Sequence, residues 1–162
     1  MPSPRRWTQL LLLVLLLALA ISACHRRARV PEGDIASSLT LPALGDPLET
    51  SSLLGKPTLV VFVSPTCPHC IAELPLAQDA ARASDANIVA VFVVGKRENA
   101  AGVVQTTKFT GPVLVDDGTL RRRYEVKSVP YTLILRPDGH ANDAFLGKQD
   151  EATLRDAIAD AR

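Results

Sequence analysis

The pattern of apolar and polar residues divides the chain into an apolar run near its start and alternating short elements after about residue 39. Short, largely uncharged apolar runs that are typical of strands occupy 56–63, 88–94, 112–115, 131–135 and 144–146. Segments with helical spacing of apolar residues lie at 68–83, 97–108, 119–124 and 150–161, and Asp150 is the candidate N-cap of the last of them. Strands that alternate with helices predict β-α-β units, and hence a sheet with a parallel section.

Two hairpins are predicted around this section. Strands 131–135 and 144–146 flank the turn Arg136-Pro137-Asp138-Gly139, which has proline at its second position. Gly45-Asp46 lies between two short alternating segments within 39–49 and predicts an N-terminal hairpin. The expected fold is therefore α/β, with a mixed central sheet and an N-terminal β-hairpin extension.

Residues 1–23 have the features of an export signal. Arg5 and Arg6 precede the run 10–21, which is apolar throughout but shorter than the ~20 residues that a membrane span requires. An uncleaved signal anchor is therefore disfavoured. Cleavage after Ala18-Leu19-Ala20 would release a soluble protein.

The segment Ile21-Ser22-Ala23-Cys24 resembles the bacterial lipobox, in which the cysteine is lipidated and becomes the new N-terminus. We favour this interpretation because it also accounts for the odd third cysteine of the chain. It implies a lipid anchor on Cys24 in a bacterial envelope membrane. Residues 24–38 lack periodicity and are predicted to be a flexible tether with a reach of roughly 20 Å, ahead of a domain at 39–162.

The candidate chemistry lies in Cys67-Pro68-His69-Cys70, directly after the strand 56–63. A helix that begins here directs unsatisfied N–H groups at Cys67 and favours its reactive thiolate. Cys70 lies one turn further on, is expected to be more buried, and would resolve a mixed disulfide. His69 adds a donor, and a charge when protonated, near Cys67. The formal net charge of +1 gives no electrostatic case for nucleic acid.

Other uses of the cysteine pair fit the sequence less well. A purely stabilising disulfide would gain little chain entropy across so short a loop. A zinc site would need two more ligands, and the chain offers only three histidines and no second cysteine pair. Thr66 directly precedes Cys67, which disfavours peroxiredoxin chemistry. We predict a redox pair that needs no metal and no cofactor.

Several motifs together resemble the thioredoxin superfamily, specifically its TlpA/ResA-like, membrane-tethered branch. The resemblance covers 39–161 and rests on Gly55-Lys56-Pro57, the Cys67–Cys70 motif, Glu73-Leu74-Pro75, Val129-Pro130 and Asp138-Gly139. It implies a thioredoxin-like three-layer α/β/α sandwich. It also implies that Pro130 is cis and that the backbone of Val129 binds an incoming peptide beside Cys67. The alternative is an ordinary trans proline that opens a strand.

The resemblance also assigns an acid to the site. Val61 stands where thioredoxin proper carries a buried aspartate, six residues before Cys67. Glu73 then becomes the candidate proton handler, since an acid there lies near the active site in this branch. The alternative is an exposed helix carboxylate at Glu73.

The implied function is a periplasm-facing thiol–disulfide oxidoreductase that exchanges disulfides with substrate proteins as a monomer. The branch suggests a reductant, for example in cytochrome c maturation, supplied by a DsbD-like membrane partner. The Pro68-His69 dipeptide instead matches DsbA-like oxidases, which a DsbB-like partner would serve, and MauD-like proteins are a weaker likeness. A hypothesis from another class is a non-catalytic binding module that presents Val129-Pro130 to a partner.

Overall fold

The computed structural model describes residues 27–93 and 95–162. The predicted signal peptide and the predicted lipidation site Cys24 lie outside the described residues. In the described ranges no helix is long and apolar enough to cross a membrane.

A five-stranded mixed sheet forms the centre of the domain, in the order β3-β2-β1-β4-β5. β1 runs parallel to β2, and β2 runs parallel to β3. β4 is antiparallel to both β1 and β5, as the predicted closing hairpin requires. The strands are β1 (Thr58–Val63), β2 (Asn87–Phe92), β3 (Val113–Val115), β4 (Tyr131–Leu135) and β5 (Ala141–Leu146).

Four α-helices connect or follow these strands. They are α1 (Pro68–Ala83), α2 (Arg97–Thr107), α3 (Thr119–Arg123) and α4 (Glu151–Asp160). The predicted N-cap of α4 is confirmed, since the Asp150 side chain accepts a hydrogen bond from the Thr153 N–H. Pro75 lies inside α1, which continues to Ala83.

Each face of the sheet covers a separate apolar core, which explains why β1 is apolar along its whole length. Leu59, Val61 and Val63 face α1, α2 and α4. Val60 and Phe62 face α3 and the N-terminal segment, defined here as residues 27–54. The predicted three-layer fold is confirmed, although one outer layer consists of a single short α-helix and the N-terminal segment.

The predicted N-terminal hairpin is wrong. In the described residues, 39–49 contain no strand, and the flanking elements are two 3₁₀ helices at Ala36–Ser38 and Thr50–Leu53. The apolar side chains that suggested alternating strands serve instead to cover the sheet. Leu39 is buried in the core on the α3 face of the sheet, and Leu41 and Leu48 pack partly buried against it. Ala43 forms an isolated bridge with Leu114 of β3.

The predicted flexible tether through residue 38 also requires correction. Arg27 bridges to Phe145 of β5, and Ile35 is fully buried. The backbone N–H groups of Ile35 and Ala36 both donate to the carbonyl of Gly139, at 3.0 and 3.2 Å. Residues 27–38 are therefore part of the folded domain, because their apolar side chains and backbone groups are satisfied by the β4–β5 hairpin.

Candidate active site

The junction between β1 and α1 positions the cysteine pair. The carbonyl of Ser64 accepts the Cys67 N–H at 3.2 Å, which turns the chain after the strand. Pro68 occupies the first helical position, where its missing N–H costs no hydrogen bond. Cys67 is the N-cap of α1, and its Sγ accepts the Cys70 N–H at 3.2 Å. The sulfur thus lies at the end of a helix where partial positive charge accumulates.

The two cysteines form a disulfide with unequal access to solvent. Cys67 is partly exposed, and Cys70 is fully buried. Pro68 and His69 both lie exposed on the first turn of α1. This geometry fits the expectation that Cys67 meets substrate while Cys70 reacts only within the protein.

The loop before β4 faces the disulfide. The Val129–Pro130 peptide bond is cis, as the resemblance predicts. The carbonyl oxygen of Val129 lies 3.8 Å from Cys67 Sγ, which places the backbone of this loop next to the partly exposed cysteine. The Pro130 carbonyl accepts the Gly147 N–H at 2.9 Å and so connects this loop to the segment that precedes α4.

Glu73 lies in the interior, so the alternative of an exposed helix carboxylate is wrong. It follows Cys70 by three residues on α1, which places both side chains on the same helix face. Its Oε1 accepts the Thr132 hydroxyl at 2.7 Å, and its Oε2 accepts the Gln149 N–H at 3.1 Å. Burial raises the pKa of Glu73, and those two hydrogen bonds and the field of Lys148 oppose that rise.

The strand register explains why a carboxylate can lie here. Val61 pairs with Thr132 across the antiparallel β1–β4 ladder, so the two side chains share one face of the sheet. Glu73 bonds to Thr132 from the helix above. Position 61 of β1 carries no acid in this chain. Glu73 of α1 instead places a carboxylate in contact with Thr132, the residue that pairs with Val61.

Thr132, Lys148 and Gln149 complete the site and were not predicted from the sequence. Thr132 and Gln149 lie 59 and 76 residues from Glu73 along the chain. Contacts at such separations depend on strand register and helix placement, so no local motif marks them.

Two open depressions are lined in part by residues that neighbour the cysteine motif or the cis-proline loop in sequence. A cleft of about 590 Å³ lies beside the cis-proline loop, where Ser128 and Tyr131 line it together with Arg29 of the N-terminal segment. A smaller one of about 300 Å³ includes Thr66 and Ile71.

The site has no metal-binding character in the part of the chain that the structure describes, where no group of three or more His, Cys, Asp or Glu side chains converges. The chemistry available is that of the cysteine pair, whose disulfide form accepts two electrons and whose dithiol form donates two. Cys67 is the member of the pair that is partly exposed. The chain is accordingly a protein thiol–disulfide oxidoreductase with a thioredoxin-like fold.

A family assignment and named relatives support this class. The chain belongs to the AhpC/TSA family, whose sequence model matches residues 33–143. It is 29% identical over 126 residues to the thiol:disulfide interchange protein DsbE of Pseudomonas aeruginosa, covering 74% of this chain and 68% of that protein.

Two further similarities differ in coverage. The methylamine utilization protein MauD of Methylophilus methylotrophus is 27% identical over 52% of this chain, which spans only 40% of that relative. A solved structure of a secreted Mycobacterium tuberculosis disulfide oxidoreductase, homologous to E. coli DsbE, superimposes with a TM-score of 0.66. That match has 27% identity and covers 76% of this chain and 98% of the other.

Proposed function

We propose that this protein reduces disulfides in exported proteins, from a lipid anchor on the periplasmic side of a bacterial envelope membrane. The observation that carries the proposal is the asymmetric disulfide, in which the accessible Cys67 caps α1 beside the cis Val129–Pro130 bond. The similarity to DsbE supports the reaction class.

In the forward reaction the Cys67 thiolate attacks one sulfur of a substrate disulfide. That bond breaks, a mixed disulfide forms, and one substrate thiolate leaves. The Cys70 thiolate then attacks Cys67 Sγ, which restores the Cys67–Cys70 disulfide and releases the second substrate thiolate. Two electrons pass from the protein to the substrate. The backbone of Val129 would hold the substrate strand during both steps.

Glu73 would manage the proton of Cys70. A thiol must lose its proton before it attacks, and Cys70 is buried away from water. A carboxylate on the same helix face, with its pKa raised by burial, is suited to accept that proton and to return it when the pair is reduced again. Thr132 and Gln149 hold both carboxylate oxygens in place.

The direction of electron flow depends on how strongly the Cys67 thiolate is stabilised in the reduced protein. A strongly oxidising pair needs a reduced form that is unusually stable. In the disulfide form, Cys67 Sγ accepts the Cys70 N–H at 3.2 Å, and His69 lies exposed on the first turn of α1. We infer that the thiolate gains only modest stabilisation, which would favour a reductant.

A redox titration of the Cys67–Cys70 pair against glutathione or dithiothreitol tests the direction. Known pairs span about −270 mV for reductants to about −120 mV for strong oxidants, roughly 7 kcal/mol for two electrons. We expect a value near the reducing end and a pair that thiol trapping finds mostly reduced in cells. A value near the oxidising end, with a trapped disulfide, would reject the reductant.

A dithiol oxidase is the second candidate, because the Pro68-His69 dipeptide matches DsbA-like enzymes. The variant His69→Ala separates the two. In an oxidase the imidazole stabilises the thiolate, so its removal would make the potential markedly more reducing. In the reductant we expect little change, since His69 is exposed on the first turn of α1.

The lipid anchor would hold the domain close to the membrane. Arg27 pairs with β5 only three residues after Cys24, and three residues extend at most about 11 Å. We expect Cys24→Ala to move the protein from the membrane fraction to the soluble fraction. A wild-type protein that is soluble and begins at Ile21 would instead indicate cleavage after Ala20.

A further inference from the structure

The side chain of Gln149 has a buried oxygen with no partner. Only 3% of the residue is exposed, and Oε1 makes no hydrogen bond in the described structure. Nε2 donates to the Gly147 carbonyl at 2.6 Å. Because a carbonyl needs a donor, that contact fixes which end of the amide is nitrogen and leaves Oε1 as an orphaned acceptor. An acceptor left unpaired in the interior is costly, which makes Oε1 a candidate partner for a donor that appears in another protonation state of the site.

We propose that the side-chain carbonyl of Gln149 accepts the proton of Glu73 when that residue is a carboxylic acid. Gln149 is then a positioning residue that stabilises the protonated acid after Cys70 has given up its proton. This inference rests on the proposed role of Glu73.

The hydrogen bonds of the carboxylate explain the need for such an acceptor. In the ionised state, both oxygens of Glu73 accept hydrogen bonds, from Thr132 and from the Gln149 backbone. A protonated oxygen must donate instead, and a backbone N–H cannot receive that proton. The side-chain carbonyl of Gln149 belongs to the same residue whose backbone N–H already contacts Oε2.

The loop that carries Gln149 is held from two sides. The Gly147 N–H donates to the carbonyl of Pro130, and the Gly147 carbonyl holds the Gln149 amide. The acceptor is therefore fixed relative to both the cis-proline loop and Glu73. The acid is faced by Thr132 from β4 and by the loop before α4, where Lys148 is the charged group that acts on it in the described structure.

The carboxyl ¹³C resonance of Glu73, followed against pH in the oxidised full-length protein, tests the proposal. We expect Gln149→Met, which fills the space without an acceptor, to lower the pKa of Glu73 by about one unit, the size of one hydrogen bond. Thr132→Val should raise that pKa, because the hydroxyl donates to the ionised carboxylate. A lowered pKa in Thr132→Val with no change in Gln149→Met would overturn the proposal and assign the acceptor role to Thr132.

Entry of water in Gln149→Met could also lower the pKa, so a second readout is needed. The infrared C=O stretch of protonated Glu73, assigned by its loss in Glu73→Gln, reports the hydrogen bond of the acid directly. We expect this band to move to higher frequency in Gln149→Met. A band that keeps its position would count against the proposal.

The role of Glu73 itself is tested separately, by the pH dependence of the Cys67–Cys70 potential. If Glu73→Gln leaves that dependence unchanged, the proton role of Glu73 fails whatever the Gln149 variants show. If Glu73→Gln alters it while Gln149→Met leaves the Glu73 pKa unchanged, only the inference about Gln149 fails.

Discussion

The β1–α1 junction and the N-terminal segment contribute to the same sheet but are specified in different ways. At the junction, neighbours in sequence fix the structure: a buried strand, a turn at Ser64, a proline at the first helical position and a cysteine cap. In the N-terminal segment, the partners lie about a hundred residues away, as in the bonds from Ile35 and Ala36 to Gly139. Short sequence motifs therefore predict the β1–α1 junction well and the N-terminal segment poorly.

This contrast indicates that the two regions have separable roles. The junction holds the cysteine pair, whereas the N-terminal segment supplies apolar surface to the sheet face on which α3 packs. Damage to the segment should cost stability with little effect on the redox potential. Substitutions at the site should change the redox potential with little effect on stability.

The largest expected effect on stability comes from Leu39→Ala. Leu39 is fully buried against the sheet, and such truncations cost about 2–5 kcal/mol. Denaturant unfolding of the oxidised protein should show this loss, while the Cys67–Cys70 potential stays at its wild-type value. The neighbouring Thr40→Ala is the control, because Thr40 is exposed and should cost little. A large change in potential would mean that the two regions are coupled.

A smaller loss is expected from Gly139→Ala in the β4–β5 turn. Gly139 has a φ of +86°, and an added Cβ would lie 2.9 Å from the Cβ of Ala36. Gly55 has a similar φ of +84° with open space around it, so Gly55→Ala measures the backbone strain alone. In denaturant unfolding, we expect Gly139→Ala to lose about 1–3 kcal/mol more free energy of unfolding than Gly55→Ala. This difference measures how closely the N-terminal segment packs against the turn. Equal losses would contradict that packing.

The smallest expected effect is the contribution of Glu73 to the pH dependence of the free energy of unfolding. The pKa of Glu73 is raised in the folded protein, so the native state binds a proton that the unfolded state has already released. The free energy of unfolding should therefore fall as pH rises from the unfolded pKa of about 4.3 through the folded value. Glu73→Gln should remove this component. A wild-type stability that rises with pH over the same window, relative to Glu73→Gln, would contradict the assignment.

Features encoded by short motifs were predictable from the sequence, whereas contacts between distant segments were not. The strand–helix junction, the cis bond at Pro130 and the α4 cap were predicted because short motifs encode them. The hairpin at 39–49 was mispredicted because alternation over a few residues does not say which surface an apolar side chain covers. The hydrogen bonds of Glu73 depend on the pairing of Val61 with Thr132, which only the assembled sheet determines.

Trapping a mixed disulfide tests the central claim most directly. Cys70→Ser and Cys67→Ser are compared in a Cys24→Ala background, so that each protein retains a single thiol. Each is incubated with insulin and resolved on non-reducing gels with mass spectrometry. We expect Cys70→Ser to accumulate a mixed disulfide through Cys67, which added reductant cleaves, and Cys67→Ser to form none. Equal trapping by the buried Cys70, or insulin reduction that survives in Cys67→Ser, would contradict it.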